Sequence, residues 1–273
     1  MTMDLSNLEI ITESDLAEAV GEGFTEIQVS EHVLLTLSAC EYVHNHSIIL
    51  SRRDAGARAD FALRAEIIQA GRKLWERHYV DGSGGNISAR LSNQRVICTP
   101  SFCCKGDLTM SDFAVVDMDG IQTEGEKPRS SEILLHLAVY QAVPQAHAVI
   151  HCHPPHALAY ALTGTLPQGG MVPEHEVFIG DVALAPYETP GTPEFARSVL
   201  PYVHGRNMIL LQNHGIVCWA DTVTHAEWMV EVFDTYCRTL ILAARLDADL
   251  VPIPEPKIAE LRHLRNKLGL PPV

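Results

Sequence analysis

Two histidines one residue apart close a short apolar run in AVIHCHPPHA, residues 148–157. Successive side chains on a strand point to opposite faces, so His151 and His153 project together and Cys152 projects the other way. Two imidazoles on one face suit a single metal ion. A plainer reading stays open, because the chain has 14 histidines and such pairs also occur as surface or core structure. The lead-in Ala148-Val149-Ile150 and the terminating Pro154-Pro155 favour ligands, since they place the pair where a buried strand emerges into a site. His156 reads as local structure after the prolines. A catalytic zinc takes three protein ligands and keeps one position open, so a third ligand should come from another strand end. His214 in LLQNHGIVCW fits that place, although a turn histidine with no further role would look the same.

KPRSSEILLHL, residues 127–137, sets Ser130 and Ser131 at an expected helix start. Capping explains serines there. Free N–H groups and hydroxyls at a helix start also bind phosphate. Glu132, in the expected first turn, either complements the helix dipole or serves as an acid/base beside the metal. In DGSGGNIS, residues 81–88, Gly84 and Gly85 permit close backbone approach, so N–H groups can cradle an oxyanion; a tight turn is the commoner use of such a run.

The surrounding elements must bring these groups together. Apolar periodicity predicts helices over 61–79, 131–142 and 222–246, and a charged helix over 257–268. Thr192-Pro193-Glu194 marks another helix start. RVICTP, FAVVDMDG, AHAVIHCH and part of HEVFIGDVALAPY read as strands, and NMILLQNHGIVCWA as strand, turn, strand. The pattern is α/β. Upstream, residues 1–55 read as a small separate unit. It has a helix opened by Thr12, a strand in FTEIQVS, a helix in EHVLLTLSACEYVHNH and a strand in HSIILS. RRDAGARAD reads as a linker to a main domain of residues 56–273.

The chain has 273 residues and a net charge of −14. An acidic chain with no basic run is a poor partner for nucleic acid or an anionic membrane. An anionic substrate would need local positive potential from a metal, helix N-termini or backbone N–H groups. No run approaches the roughly 18 apolar residues of a membrane span. The N-terminal residues lack the basic-then-apolar pattern of a secretory signal. Seven cysteines without a CxxC read as reduced thiols, which points to the cytoplasm.

The ordered set GGNIS, TPS, SSE, HCHPPHA, APYETPGT and QNHG resembles the class II sugar-phosphate aldolase/adducin-type family, typified by L-fuculose-1-phosphate aldolase, over about residues 61–246. The resemblance implies a three-layer α/β/α fold around a central, mostly antiparallel sheet. It implies that His151, His153 and His214 hold Zn2+, with cobalt, manganese or iron as other ions such a site suits. It makes Glu132 the acid/base and assigns the substrate phosphate to Gly85, Asn86, Ser101, Ser130 and Ser131. Tyr187 would reach a neighbouring subunit's site, because the family forms cyclic homotetramers with interface active sites. The chain departs from the family at Phe102, where relatives often carry glycine against the phosphate. Lys105 reads either as a substitute charge there or as a solvated lysine. The tail carries no aromatic after Tyr236, so no tail residue is carried over.

The reaction so implied is cleavage of a ketose 1-phosphate, of the L-fuculose or L-rhamnulose type, to dihydroxyacetone phosphate and an aldehyde such as lactaldehyde. Tyr187 would take the C4 hydroxyl proton and Glu132 would protonate C3. Other reactions on the scaffold are a 4-epimerase, a dehydratase or a decarboxylase, and a non-catalytic adducin-like interaction protein is the contrasting class. The stretch ITESDLAEAVGEGFTEIQVSEH also resembles short modules on enzymes of bacterial microcompartments, which would make residues 8–52 a contact for shell or cargo and place the enzyme in the compartment lumen. An oligomerisation or capping appendage is the plainer reading.

Overall fold

A computed structural model describes residues 2–5, 7–30, 33–52 and 55–270. Parts of the readings of EHVLLTLSACEYVHNH and RRDAGARAD fall on Glu31, His32, Arg53 and Asp54, outside the described residues. The chain divides into two compact units, Met1–Ala62 and Leu63–Val273.

The first unit runs β1 (Thr2–Asp4), β2 (Ile10–Ile11), α1 (Glu13–Gly21), β3 (Glu26–Val29), β4 (Leu34–Leu35), α2 (Leu37–Asn45) and β5 (Ile49–Arg52). Strands β1, β3 and β5 form a parallel sheet, and β2 pairs with β4. Ile11, Leu16, Ala19, Ile27, Val29, Val33, Ala39 and Ile48 give the unit its own core. Asp15 Oδ2 accepts from the Thr12 backbone N–H and hydroxyl, both at 2.7 Å, which holds its carboxyl below the usual carboxylate range. Leu34 and Leu35 are strand rather than the expected helix. Thr36 is the reason: its Oγ1 accepts from Ala39 N at 3.2 Å and so starts α2 one residue later.

The second unit follows α3 (Ala55–Glu76) with β6 (Asn86–Ser92), β7 (Arg95–Cys98), β8 (Ala114–Val116) and β9 (Gln122–Glu124). Next come α4 (Ile133–Ala142), β10 (Ala148–Cys152), α5 (Pro155–Thr163), β11 (Ala183–Ala185) and α6 (Pro193–Ser198). The unit closes with β12 (Met208–Leu211), β13 (Gly215–Ala220), α7 (Val223–Ala243) and α8 (Glu255–Lys267). The expected linker is thus helical from Ala55: Gly56 stands among alanines and arginines, whose helix preference outweighs one glycine.

Eight strands make one sheet in the order β11-β12-β13-β10-β6-β7-β8-β9, antiparallel except for β11 with β12. β10 alternates cleanly between two cores. Ala148, Ile150 and Cys152 join Ile67 and Leu74 of α3, Ala157 and Ala161 of α5, and Val230 and Phe233 of α7. Val149 joins Ile133 and Leu137 of α4 and Phe195 of α6. The result is a three-layer α/β/α unit with a mostly antiparallel sheet. With both faces covered, β10 reads as an unbroken apolar run, the pattern of a doubly buried strand.

The strand expected within HEVFIGDVALAPY is β11, at its Ala183–Ala185. His175–Ile179 make one wide helical turn, closed by Gly180 N bonding His175 O at 2.8 Å, and the strand begins only at Ala183.

Candidate active site

His151 is the fourth residue of β10, His153 lies just past its end, and His214 sits in the turn between β12 and β13. β10 and β13 are antiparallel neighbours with Cys152 opposite Ile216, so the two strand ends meet at one edge of the sheet. The turn needs Asn213 in the left-handed region at φ 56°, which Asn tolerates. It also needs Gly215: a Cβ there would stand 2.4 Å from Cys152 O and 2.7 Å from His153 Cδ2. Gly85 is held likewise, at φ 66° with its missing Cβ 2.6 Å from Val80 Cγ1 and 2.9 Å from His151 O.

One ring nitrogen from each of the three histidines lies within 4.8 Å of the others, the only such cluster of His, Cys, Asp or Glu ligand atoms among the described residues. His151 is fully buried, and its Nδ1–H donates to Ile216 O at 2.8 Å. That bond turns the Nε2 lone pair into the cluster. His151 Nε2 stands 3.2 Å from His153 Nε2. Two nitrogens each about 2.1 Å from a tetrahedral ion are about 3.4 Å apart, so the pair fits a divalent cation. Burial, then the adjacent His153 and His214, push His151 well below the usual histidine range. Burial also lowers His153 and His214. All three are therefore neutral lone-pair donors near neutral pH, as metal ligation requires.

Glu132 closes the cluster, with Oε2 3.5 Å from His151 Nε2 and Oε1 3.5 Å from His214 Nε2. It stands one residue ahead of α4 rather than in its first turn. Ser130 causes the delay: its Oγ accepts from Glu132 N at 3.2 Å and its carbonyl from Ile133 N at 3.3 Å. Asn86, at the start of β6, donates through Nδ2 to Glu132 Oε2 at 2.7 Å, and its Oδ1 lies 2.5 Å from His136 Nε2.

The expected phosphate ligands gather only in part. Ser101 Oγ donates to Arg129 O at 2.9 Å and accepts from Ser131 N at 3.0 Å, so its one proton is already engaged. Ser130 is buried, while Ser131 is exposed. Arg129 lies within this turn, its Nη1 donating to Ser130 O at 2.9 Å. It is a cation that motif reading passed over, although it directly precedes the two serines. Phe102 adopts φ 54°, the conformation glycine favours, and the residue is 91% exposed. Lys105 is not solvated but 1% exposed, with Nζ donating to Ser83 O at 3.0 Å and Cys103 O at 2.7 Å. It ties the glycine-rich turn to the 103–105 turn. Tyr187 is 53% exposed. His156 is structural: its Nδ1 lies 2.8 Å from Asp234 Oδ2, and Asp234 Oδ1 accepts the His156 and Ala157 N–H groups at the head of α5. His136 and Tyr140, behind Asn86, were given no role by any motif, and Ser88 entered only as the last residue of GGNIS. The only hint was a histidine inside the apolar run ILLHLAVY.

A three-layer fold with a histidine cluster and a carboxylate at one sheet edge defines a class. The model for the Class II Aldolase and Adducin N-terminal domain matches residues 65–241, and the chain belongs to that family. It is 36% identical over 173 residues to a 3-oxo-tetronate 4-phosphate decarboxylase of Cupriavidus necator, covering 62% of this chain and 79% of that protein. To an L-fuculose phosphate aldolase of Methanococcus maripaludis it is 33% identical over 197 residues, 72% of this chain and 93% of that one. A solved L-fuculose 1-phosphate aldolase matches with a TM-score of 0.69 and 31% identity, over 77% of this chain and 97% of its own.

Proposed function

We propose that the chain is a metal-dependent carbon–carbon lyase acting on a phosphorylated keto substrate, with His151, His153 and His214 as zinc ligands and Glu132 as the acid/base. One observation carries the reading: a single carboxylate lies 3.5 Å from two of three neutral, converging imidazoles. A divalent ion held there supplies Lewis-acid stabilisation of negative charge on substrate oxygens.

The names of the relatives describe two reactions with one shared half. Loss of CO2 from a 3-oxo-tetronate 4-phosphate leaves an electron pair on C2, beside the C3 carbonyl. Cleavage of a ketose 1-phosphate between C3 and C4 leaves the pair on C3, beside the C2 carbonyl. Both give the enediolate of dihydroxyacetone phosphate, and both end when that carbon takes a proton. Glu132 delivers it. The reactions differ in the leaving group. CO2 departs without any proton transfer, whereas an aldehyde departs only as its hydroxyl loses a proton to a second base. The cluster on this chain holds one acid/base, so it matches decarboxylation of a 4-phosphorylated 3-oxo acid first. The exposed Tyr187 favours the second reading, ketose 1-phosphate cleavage, in which it serves a neighbouring copy within a homotetramer. In both, the phosphate rests where Ser101, Ser130 and Ser131 meet, with Arg129 and the Gly85 turn alongside.

The test is a panel of a 3-oxo-tetronate 4-phosphate and several ketose 1-phosphates, assayed for dihydroxyacetone phosphate with and without a chelator. Release from the 3-oxo acid alone, abolished by chelation, is the expected outcome. Release from ketose phosphates alone moves the assignment to the second reading, and cleavage of neither overturns both. Glu132→Gln should keep its metal and lose about 10²-fold or more in turnover. Residues 8–52 are proposed as a module with a separate role, docking to a shell or cargo partner through exposed Ile10, Leu34 and Leu37. Deleting residues 1–52 should then spare turnover and abolish co-localisation with a shell.

A further inference from the structure

Four buried side chains stand in line behind Glu132. Asn86 Nδ2 lies 2.7 Å from Glu132 Oε2 and Asn86 Oδ1 2.5 Å from His136 Nε2. His136 Nδ1 lies 2.7 Å from Ser88 Oγ, and Ser88 Oγ 2.9 Å from the Tyr140 hydroxyl. Asn86 is 5% exposed, Ser88 0%, and His136 and Tyr140 1% each. Buried polar groups of this kind must find partners within the chain.

The direction of every bond follows from one end. Asn86 presents its NH2 to Glu132, with Nδ2 donating to Oε2. Its Oδ1 then faces His136, and two acceptors cannot meet, so His136 Nε2 carries a hydrogen. Burial, and then the nearby His151, push His136 down to about 3, so the ring is neutral and has one hydrogen only. Nδ1 is therefore a lone pair and accepts from the Ser88 hydroxyl. The Ser88 oxygen, its hydrogen engaged, accepts from Tyr140.

We infer that His136 is a positioning residue that, as the Nε2–H tautomer, locks the Asn86 amide so that Glu132 Oε2 is held as an acceptor and the transferred proton rides on Oε1. A hydrogen on Oε2 would point at an Asn86 N–H and displace it, whereas Oε1 faces His214 and the cluster. In the protonation step the Oε1–H bond breaks, the electron pair on the substrate carbon takes the hydrogen, and Glu132 is left as a carboxylate with Asn86 still bonded to Oε2. Asn86 thereby aims the acid. The inference rests on the acid/base role of Glu132 proposed above.

The first test is independent of turnover. Two-bond 1H–15N correlation of the His136 ring in the metal-free protein should show the Nε2–H tautomer, and the Nδ1–H tautomer would overturn the assignment. The second is kinetic, on whichever substrate the panel identifies. His136→Phe should lower kcat about 10²-fold, the cost typical of a misplaced catalytic group, with KM and bound metal within twofold. His136→Gln, which keeps a donor toward Asn86 Oδ1, should recover most of the loss. In a Glu132→Gln background, His136→Phe should cost nothing further. An equal loss in both backgrounds means a merely structural role and sinks the inference. Should His136→Phe not fold, Ser88→Ala removes only the donor to Nδ1. The ring should stay the Nε2–H tautomer held by Asn86 Oδ1, and a switch to Nδ1–H would overturn the lock. An active Glu132→Gln would instead overturn the reaction assignment, and the ring spectrum would still decide the tautomer.

Discussion

At the scale of single residues, His151 and Gly215 matter for different reasons. His151 is fully buried and has both ring nitrogens engaged, Nδ1 by Ile216 O and Nε2 by the cluster. His151→Ala removes the deepest of three ligands, so metal content measured by elemental analysis should fall from about one ion per chain toward zero. Gly215 contacts no substrate, yet its absent Cβ leaves the space filled by Cys152 O and His153 Cδ2. Gly215→Ala forces β13 from β10 or tilts the His153 ring. Overpacking of this kind costs about 1–3 kcal/mol. Calorimetry should show a lower Tm, and metal affinity should drop with it; an unchanged Tm would mean that the backbone yields freely. QNHG owes its final glycine to this crowding.

At the scale of elements, α3 and α7 carry a charge cluster that sets a pH dependence. Lys73 Nζ lies 2.8 Å from Glu227 Oε2, and Arg77 Nε 2.6 Å from Glu231 Oε1. Burial, then a hydrogen bond shared with Glu231, push Glu227 up to about 7 from an ordinary 4.5. Between those values the folded chain holds a proton that the unfolded chain has released. Stability should therefore fall as pH rises from about 4.5 to 7, by at most about 1.4 kcal/mol per pH unit, and level off above. Glu227→Gln should remove that slope in urea midpoints, and a slope of opposite sign would refute the account. Much of this architecture was legible. Thr12 and Thr192 start helices where their types say they should, and β10 showed its double burial as an apolar run. The histidine cluster was legible because period-two geometry places i and i+2 together. What stayed hidden depended on partners far along the chain. Lys105 is buried because the carbonyls of Ser83 and Cys103 receive it. His136 gains its role from Asn86, fifty positions earlier. No local pattern encodes either.

At the scale of the whole molecule, charge and task oppose each other. The chain carries −14, yet its proposed substrates carry a phosphate and, for the 3-oxo acid, a carboxylate as well. Long-range repulsion then slows encounter, and only the local positive potential of the bound ion, Arg129 and the turn N–H groups draws the substrate in at short range. Added salt screens the long-range part first, because the Debye length shrinks from about 30 Å at 0.01 M to about 10 Å at 0.1 M. The contacts within the site are shorter than either length and change little. For the substrate that the panel identifies, kcat/KM should therefore rise as ionic strength goes from 0.01 to 0.1 M and flatten beyond, with kcat constant. Arg129→Gln should weaken KM at every salt concentration and leave the sign of the salt effect unchanged. A kcat/KM that falls with salt would show the site's own positive field reaching past the acidic surface, and would place the steering at the mouth of the cluster rather than at contact.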